Sequence, residues 1–88
     1  MSDSQANLPD KNFLKITFLA NFANPNKLTL ADILGPEFND YYDGWGLDNQ
    51  TKEKDFFFYD VPPNLIELVA PRLEGYPGIK FSHQAMNS

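Results

Sequence analysis

Few residues in this 88-residue chain could carry out chemistry, and their spacing does not define a reaction. His83 is the only histidine, and there is no cysteine to act as a nucleophile or a thiolate metal ligand. No serine lies in a GxSxG turn, and the GWG segment around Trp45 lacks the lysine of a phosphate-binding loop. Asp40 and Asp43 could form a carboxylate pair, but nothing nearby gives them the opposed environments of an acid and a base. The sequence therefore predicts a protein that is not an enzyme and carries no cofactor.

The acidic residues around Gly44 suggest a calcium loop, but the spacing does not fit one. Aligning Gly44 with the sixth position of an EF-hand loop puts Asn39, Tyr41 and Asp43 at the first, third and fifth positions. The third position is then aromatic, and Gln50 replaces the bidentate glutamate of the twelfth position. We therefore expect a solvated acidic segment here and no metal site.

The segment 36–61 combines most of the aromatic residues of the chain with many of its acids. No lysine or arginine occurs between Lys27 and Lys52. Tyrosine and tryptophan are favoured at the centres of protein interfaces, and carboxylates attract basic partners. The sequence predicts a protein-binding surface formed by Asp40, Tyr41, Tyr42, Asp43, Trp45, Asp48, Phe57 and Tyr59.

Other uses of this segment remain open at this point. Trp45 and Tyr42 could fold back as a lid on the protein's own core. The carboxylates could mimic the phosphates of a nucleic acid, although the aromatic residues interrupt them. Exposed rings beside acids could also bind a carbohydrate, or a metal-binding domain could use the same carboxylates. The preferred hypothesis is a small accessory subunit or inhibitor that docks on a protein with a basic surface.

The composition limits which partners are possible. The net charge is −5, which argues against direct binding of nucleic acid through phosphate contacts. The longest apolar-rich segment, 13–22, is interrupted by polar residues and is far shorter than the ~20 residues that span a bilayer. The N-terminus has neither the basic nor the apolar region of a secretory signal. We expect a cytoplasmic protein without membrane insertion.

Apolar periodicity predicts one α+β domain. Segments near 14–20, 55–60 and 78–83 alternate as strands do. The fold class expected is a small sheet of about three strands, with one short and one longer helix packed on one face and a long acidic aromatic loop. Residues 1–11 should form an extended arm, 12–84 the single domain and 85–88 a polar tail.

Two helices are predicted from their end signals. Thr29 and Asp32 have the spacing of a capping box at the start of a short helix over 30–34. A longer helix is expected over 64–70, and Pro71 should stop it because its ring clashes with a helical carbonyl.

The run of four aromatic residues from Phe56 to Tyr59 fixes the expected faces of its strand. Phe56 and Phe58 should lie on one face, with Phe57 and Tyr59 on the other. Helices can cover one face of so small a sheet, so either Phe57 or Phe58 should be a core anchor.

Overall fold

The computed structural model describes residues 10–24 and 26–86. The predicted N-terminal arm falls almost entirely outside these residues, as does the end of the predicted tail. The helices and strands, in chain order, are β1 (Asn12–Phe18), α1 (Leu30–Leu34), a 3-10 helix (Pro36–Tyr41), β2 (Tyr42–Leu47), β3 (Lys54–Val61), α2 (Pro63–Leu73) and β4 (Ile79–Ala85).

The strands form one antiparallel sheet in the order β2-β3-β1-β4. The predicted α+β class is confirmed, and three of the four strands are those predicted. The fourth, β2, lies within the segment that the sequence assigns to a long loop, so the loop prediction was wrong over 36–47. The order of helices and strands, βαββαβ, is that of a split βαβ unit.

The helices that the structure describes cover one face of the sheet. Alternating residues of the two central strands, including Leu14, Ile16 and Phe58, are buried against side chains from α1 and α2 such as Leu34 and Val69. The predicted sharing of faces along β3 is confirmed, because Phe58 is 1% exposed whereas its neighbours in sequence are on the opposite side. No helix of residues 10–24 and 26–86 covers the second face, on which Phe57 is half-buried and Tyr59 is exposed.

Helix α1 forms for the local reason that its sequence indicates. The hydroxyl of Thr29 accepts from the backbone N–H of Asp32, and the Asp32 carboxylate accepts from the backbone N–H of Thr29. These bonds satisfy two N–H groups that a helix start would otherwise leave free. The prediction of this helix and its cap is therefore confirmed.

Helix α2 is longer than predicted, because Pro71 does not stop it. The extra turn buries Leu73 in the core and carries Arg72 toward α1. Pro71 lacks an N–H for the carbonyl of Glu67, but Glu67 is exposed and water can satisfy that carbonyl. Tertiary packing thus outweighs the local cost of an internal proline.

Among the described residues, no helix has the length and apolar character needed to cross a membrane.

Candidate protein-binding site

The 3-10 helix positions the first residues of the predicted surface. It begins at Pro36, after Gly35, and is anchored in the core by the buried ring of Phe38. Asp40 and Tyr41 lie at its end, with Asp40 exposed and Tyr41 packed against the core. Tyr41 was expected to be a surface residue and is half-buried instead, because the 3-10 helix turns it toward the core.

The aromatic residues of β2 are exposed along one side of the strand. Tyr42, Trp45 and Leu47 pair with Phe58, Phe56 and Lys54, and directly opposite residues of antiparallel strands project to the same face. Tyr42 would face the other way in a regular strand, but the register shift between Tyr42 and Gly44 brings it onto the same side as Trp45. The result is a row of three large side chains, which we call the β2 row.

The β2 row is open to solvent over much of its area. Trp45 is 57% exposed, Leu47 50% and Tyr42 42%. The ring of Tyr42 nonetheless meets Phe58 edge to face, with centroids 5.6 Å apart. The Nζ of Lys54 lies 4.8 Å from the centroid of the Trp45 ring and forms a cation–π contact with it. Trp45 is therefore not a lid on the core.

Leu47 was missed by the sequence analysis. The signal was present in YDGWGL, where the large residues Trp45 and Leu47 alternate with Gly44 and Gly46. Glycine is depleted in strands, which hid the period-two pattern.

The outer edge of β2 presents backbone groups that pair with no other strand of the described residues. The backbone N–H of Asp48 donates to the carbonyl of Glu53 at 2.9 Å, just beyond the end of the strand. Hydrogen-bonded and non-hydrogen-bonded pairs alternate along an antiparallel ladder. Gly44 and Gly46 are therefore bonded to β3, whereas Trp45 and Leu47 point their N–H and C=O groups away from the sheet.

The acids of the segment fall into two groups. Asp40 and Asp43 are exposed and form no ion pair or hydrogen bond with other residues that the structure describes. Glu37 instead forms a two-point ion pair with Arg72, at 3.0 and 3.1 Å, which lowers the pKa of Glu37. The carboxylates of Asp40 and Asp43 are therefore accessible to a partner, whereas that of Glu37 is held by Arg72.

Asp48, a predicted contact residue, is part of the turn between β2 and β3. The backbone N–H groups of Thr51 and Gln50 donate to its carboxylate at 3.1 and 2.8 Å and hold its pKa below the ordinary value of 3.8. This turn sets the register of the β2–β3 hairpin, so the described contacts of Asp48 are internal.

Because folding lowers the pKa of Asp48, its contribution to stability exists above pH ~4 and is lost as the pH falls through the lower folded-state value. We expect Asp48→Asn to lower the urea midpoint at pH 7 and to reduce the difference between the midpoints at pH 7 and pH 2. Asp43→Asn is the matched control and should change neither quantity. Equal behaviour of the two variants would contradict the structural role of Asp48.

Phe57 and Tyr59 belong to a different surface. They lie on the helix-free face, where the ring of Phe13 is 6.1 Å from Phe57 and 5.0 Å from Tyr59, centroid to centroid. The eight predicted contact residues are thus divided between the β2 edge and this second aromatic cluster. Phe13 was missed as a member of the cluster, although the alternation of β1 places it opposite the core face.

No cluster of three or more histidine or acidic side chains suited to a metal ion occurs among the described residues. Comparison with known protein families, curated proteins and solved structures found no match.

Proposed function

We propose that this protein is a non-catalytic protein-binding module whose contact surface is the β2 row together with Asp40 and Asp43. One observation carries the proposal. Four large apolar side chains stand out as exposed among the described residues, and three of them are the β2 row. A contiguous apolar surface rimmed by polar groups is typical of a protein interface.

The charge of the surface supports a basic partner. Asp40 and Asp43 flank the row and form no ion pair within the described part of the chain, and the protein as a whole carries a net charge of −5. Such acids accelerate the approach of a positively charged protein more than they strengthen the final complex. Phosphate mimicry is less favoured, because Glu37 and Asp48 form internal contacts and the exposed side chains along β2 are large and apolar.

The experiment is a comparison of two baits in the native host. Wild-type protein and Trp45→Ala are used to capture partners, and the captured proteins are compared by quantitative mass spectrometry. We expect a basic protein that wild type captures and Trp45→Ala does not. Identical sets of captured proteins would contradict the proposal.

Surface-plasmon kinetics with the captured partner then locate the contact. Trp45→Ala and Leu47→Ala should each weaken binding about tenfold, as expected for residues near the centre of an interface. Tyr59→Ala, which truncates an exposed aromatic residue on the opposite face, is the control and should bind as wild type does. A loss with Tyr59→Ala alone would move the contact to the helix-free face.

The charge variant tests the steering role of the acids. Asp43→Lys should slow association and leave dissociation nearly unchanged. Glu67→Lys, a charge reversal of the same size on the exposed side of α2, should have a smaller effect.

A further inference from the structure

We propose that the partner binds as an added antiparallel β-strand along the outer edge of β2, through an extended segment that alternates apolar and basic residues. This inference rests on the protein-binding role proposed above and names the chemistry of the partner. Addition of a strand to an open sheet edge draws affinity from the main chain and specificity from alternate side chains.

The main-chain contribution comes from Trp45 and Leu47. Their outward N–H and C=O groups stand two residues apart, which is the spacing at which an antiparallel neighbour forms hydrogen-bonded pairs. The stretch Gly44–Leu47 carries no charge, and the bulge and Asp43 limit the edge at its start. An added strand therefore has a short, flat and defined place to pair.

The two sides of the added strand would meet different surfaces. Residues opposite Trp45 and Leu47 project to the same side as those large apolar side chains. Residues that alternate with them lie beside Gly44 and Gly46, where the sheet surface is bare backbone. An added Cβ on Gly44 would meet nothing within 4 Å, and one on Gly46 would touch only the ring of Phe57, at 3.9 Å.

Because Gly44 and Gly46 have no side chains, long side chains of the added strand could extend over them toward an acidic and an aromatic residue of β3. Asp55 pairs with Gly46 and Phe57 pairs with Gly44, so both lie one strand further in. The added strand would lie two strand spacings, about 9–10 Å, from β3, a distance that an extended lysine side chain and the Asp55 side chain can span together. A lysine on this side could contact the Asp55 carboxylate or the face of Phe57, and this complementarity selects basic residues.

Charge disfavours a second copy of the protein as the occupant. In an antiparallel pairing of two copies, the outward residues Trp45 and Leu47 of one copy would have to lie opposite Leu47 and Trp45 of the other. The acids at the two ends of this edge, Asp43 and Asp48, would then come close together from two proteins that each carry a net charge of −5, and their repulsion disfavours the pairing. The other sheet edge, β4, exposes no large apolar side chain among its residues.

End-blocked synthetic peptides test the proposal without knowledge of the natural partner. The probe is a nine-residue peptide that alternates valine and lysine, and the signal is the fluorescence of Trp45, the only tryptophan. We expect saturable binding, and at least tenfold weaker binding when glutamate replaces lysine. If neither peptide changes the fluorescence at millimolar concentration, the proposal is overturned.

Methylation of peptide amides distinguishes strand addition from other modes of contact. The valines should lie opposite Trp45 and Leu47, so their N–H groups face β2 and the lysine N–H groups face solvent. N-methylation of the valines should weaken binding at least tenfold, and N-methylation of the lysines should have little effect. Equal effects of the two modifications would overturn the proposal.

A pair of protein variants isolates the outward N–H of Leu47. Leu47→Ala removes the side chain, and Leu47→Pro also removes the donor while the ladder bonds of the neighbouring residues to β3 remain. We expect Leu47→Pro to bind the valine–lysine peptide about tenfold more weakly than Leu47→Ala. Equal binding by the two variants would overturn strand addition.

Two further readouts separate this inference from the proposed function. Asp55→Asn keeps the acceptor for the Thr17 hydroxyl, 2.7 Å away, and should reduce the preference for lysine over glutamate peptides.

Sedimentation of the free protein should show a monomer. A dimer that Leu47→Pro abolishes would mean that the edge binds a second copy of the protein rather than another partner. If Trp45→Ala abolishes capture but N-methylation of the valines and of the lysines has equal effects, the proposed protein binding is supported and strand addition is overturned.

Discussion

Replacing Phe58 with alanine is expected to lower the free energy of unfolding by about 3–5 kcal/mol. Phe58 is 1% exposed at the centre of β3, where it meets the rings of Phe38, at 6.1 Å, and Tyr42, at 5.6 Å, centroid to centroid. Removing the ring leaves a cavity between the sheet and the 3-10 helix that the backbone cannot close. Because a domain of this size has about 5–15 kcal/mol of stability, the loss is a large part of the total.

Phe57→Ala is the matched control for Phe58→Ala. It removes the same ring from the next residue of the same strand, but from the half-buried position on the helix-free face. The cost should be clearly smaller, about 1–2 kcal/mol, because solvent fills the space. Urea unfolding of both variants gives the comparison, with Phe58→Leu as a milder substitution should Phe58→Ala fail to fold. Equal costs for Phe57→Ala and Phe58→Ala would mean that the assignment of the two faces is wrong.

The parts of the fold that the sequence predicted are those with strong local signals. The β-branched and aromatic alternation of β1, β3 and β4 and the capping box at Thr29 each depend on residues close together in the chain. The burial of Phe58 rather than Phe57 required knowledge of which face the helices cover, and local alternation cannot supply that.

Strand β2 was not predicted because its stability comes from outside the strand. Gly44 and Gly46 disfavour a strand, and acids surround them. The strand forms because the turn stabilised by Asp48 returns the chain onto β3, whose ladder then fixes the register. The candidate site could therefore be predicted as a set of residues, but not as an edge strand with an outward row.

The contact between Arg72, Gly35 and Glu37 was also beyond sequence reasoning, because Arg72 lies more than 30 residues away. Its guanidinium donates to the carbonyl of Leu34 at 2.7 Å and pairs with Glu37. This contact requires α2 to continue past Pro71, and it links α2 to the end of α1 and the start of the 3-10 helix. Pro71, which was expected to stop α2, thus lies in the helical turn that holds Arg72 against the segment leading to β2.

Gly35→Ala is expected to cost about 2–4 kcal/mol, from two sources that act together. Gly35 has φ 116° and ψ 143°, a conformation that residues with a side chain rarely adopt. Its added Cβ would also overlap the guanidinium of Arg72 and the carboxylate of Glu37, and would disrupt the bonds between them. Urea unfolding measures the loss, and Gly75→Ala, where an added Cβ meets nothing within 4 Å, should change stability by less than about 0.5 kcal/mol.

A double-mutant cycle separates the two sources of the Gly35→Ala cost. In an Arg72→Ala background the overlap is gone, and only the backbone strain of about 1–3 kcal/mol should remain. Strict additivity of the two substitutions would show that the guanidinium does not approach Gly35.

Because the 3-10 helix that starts at Pro36 ends at Tyr41 and leads directly into β2, Gly35→Ala should also weaken partner binding at temperatures where the protein stays folded. Gly75→Ala should leave binding unchanged, so a selective loss with Gly35→Ala would connect the Arg72 contact to the position of the β2 row.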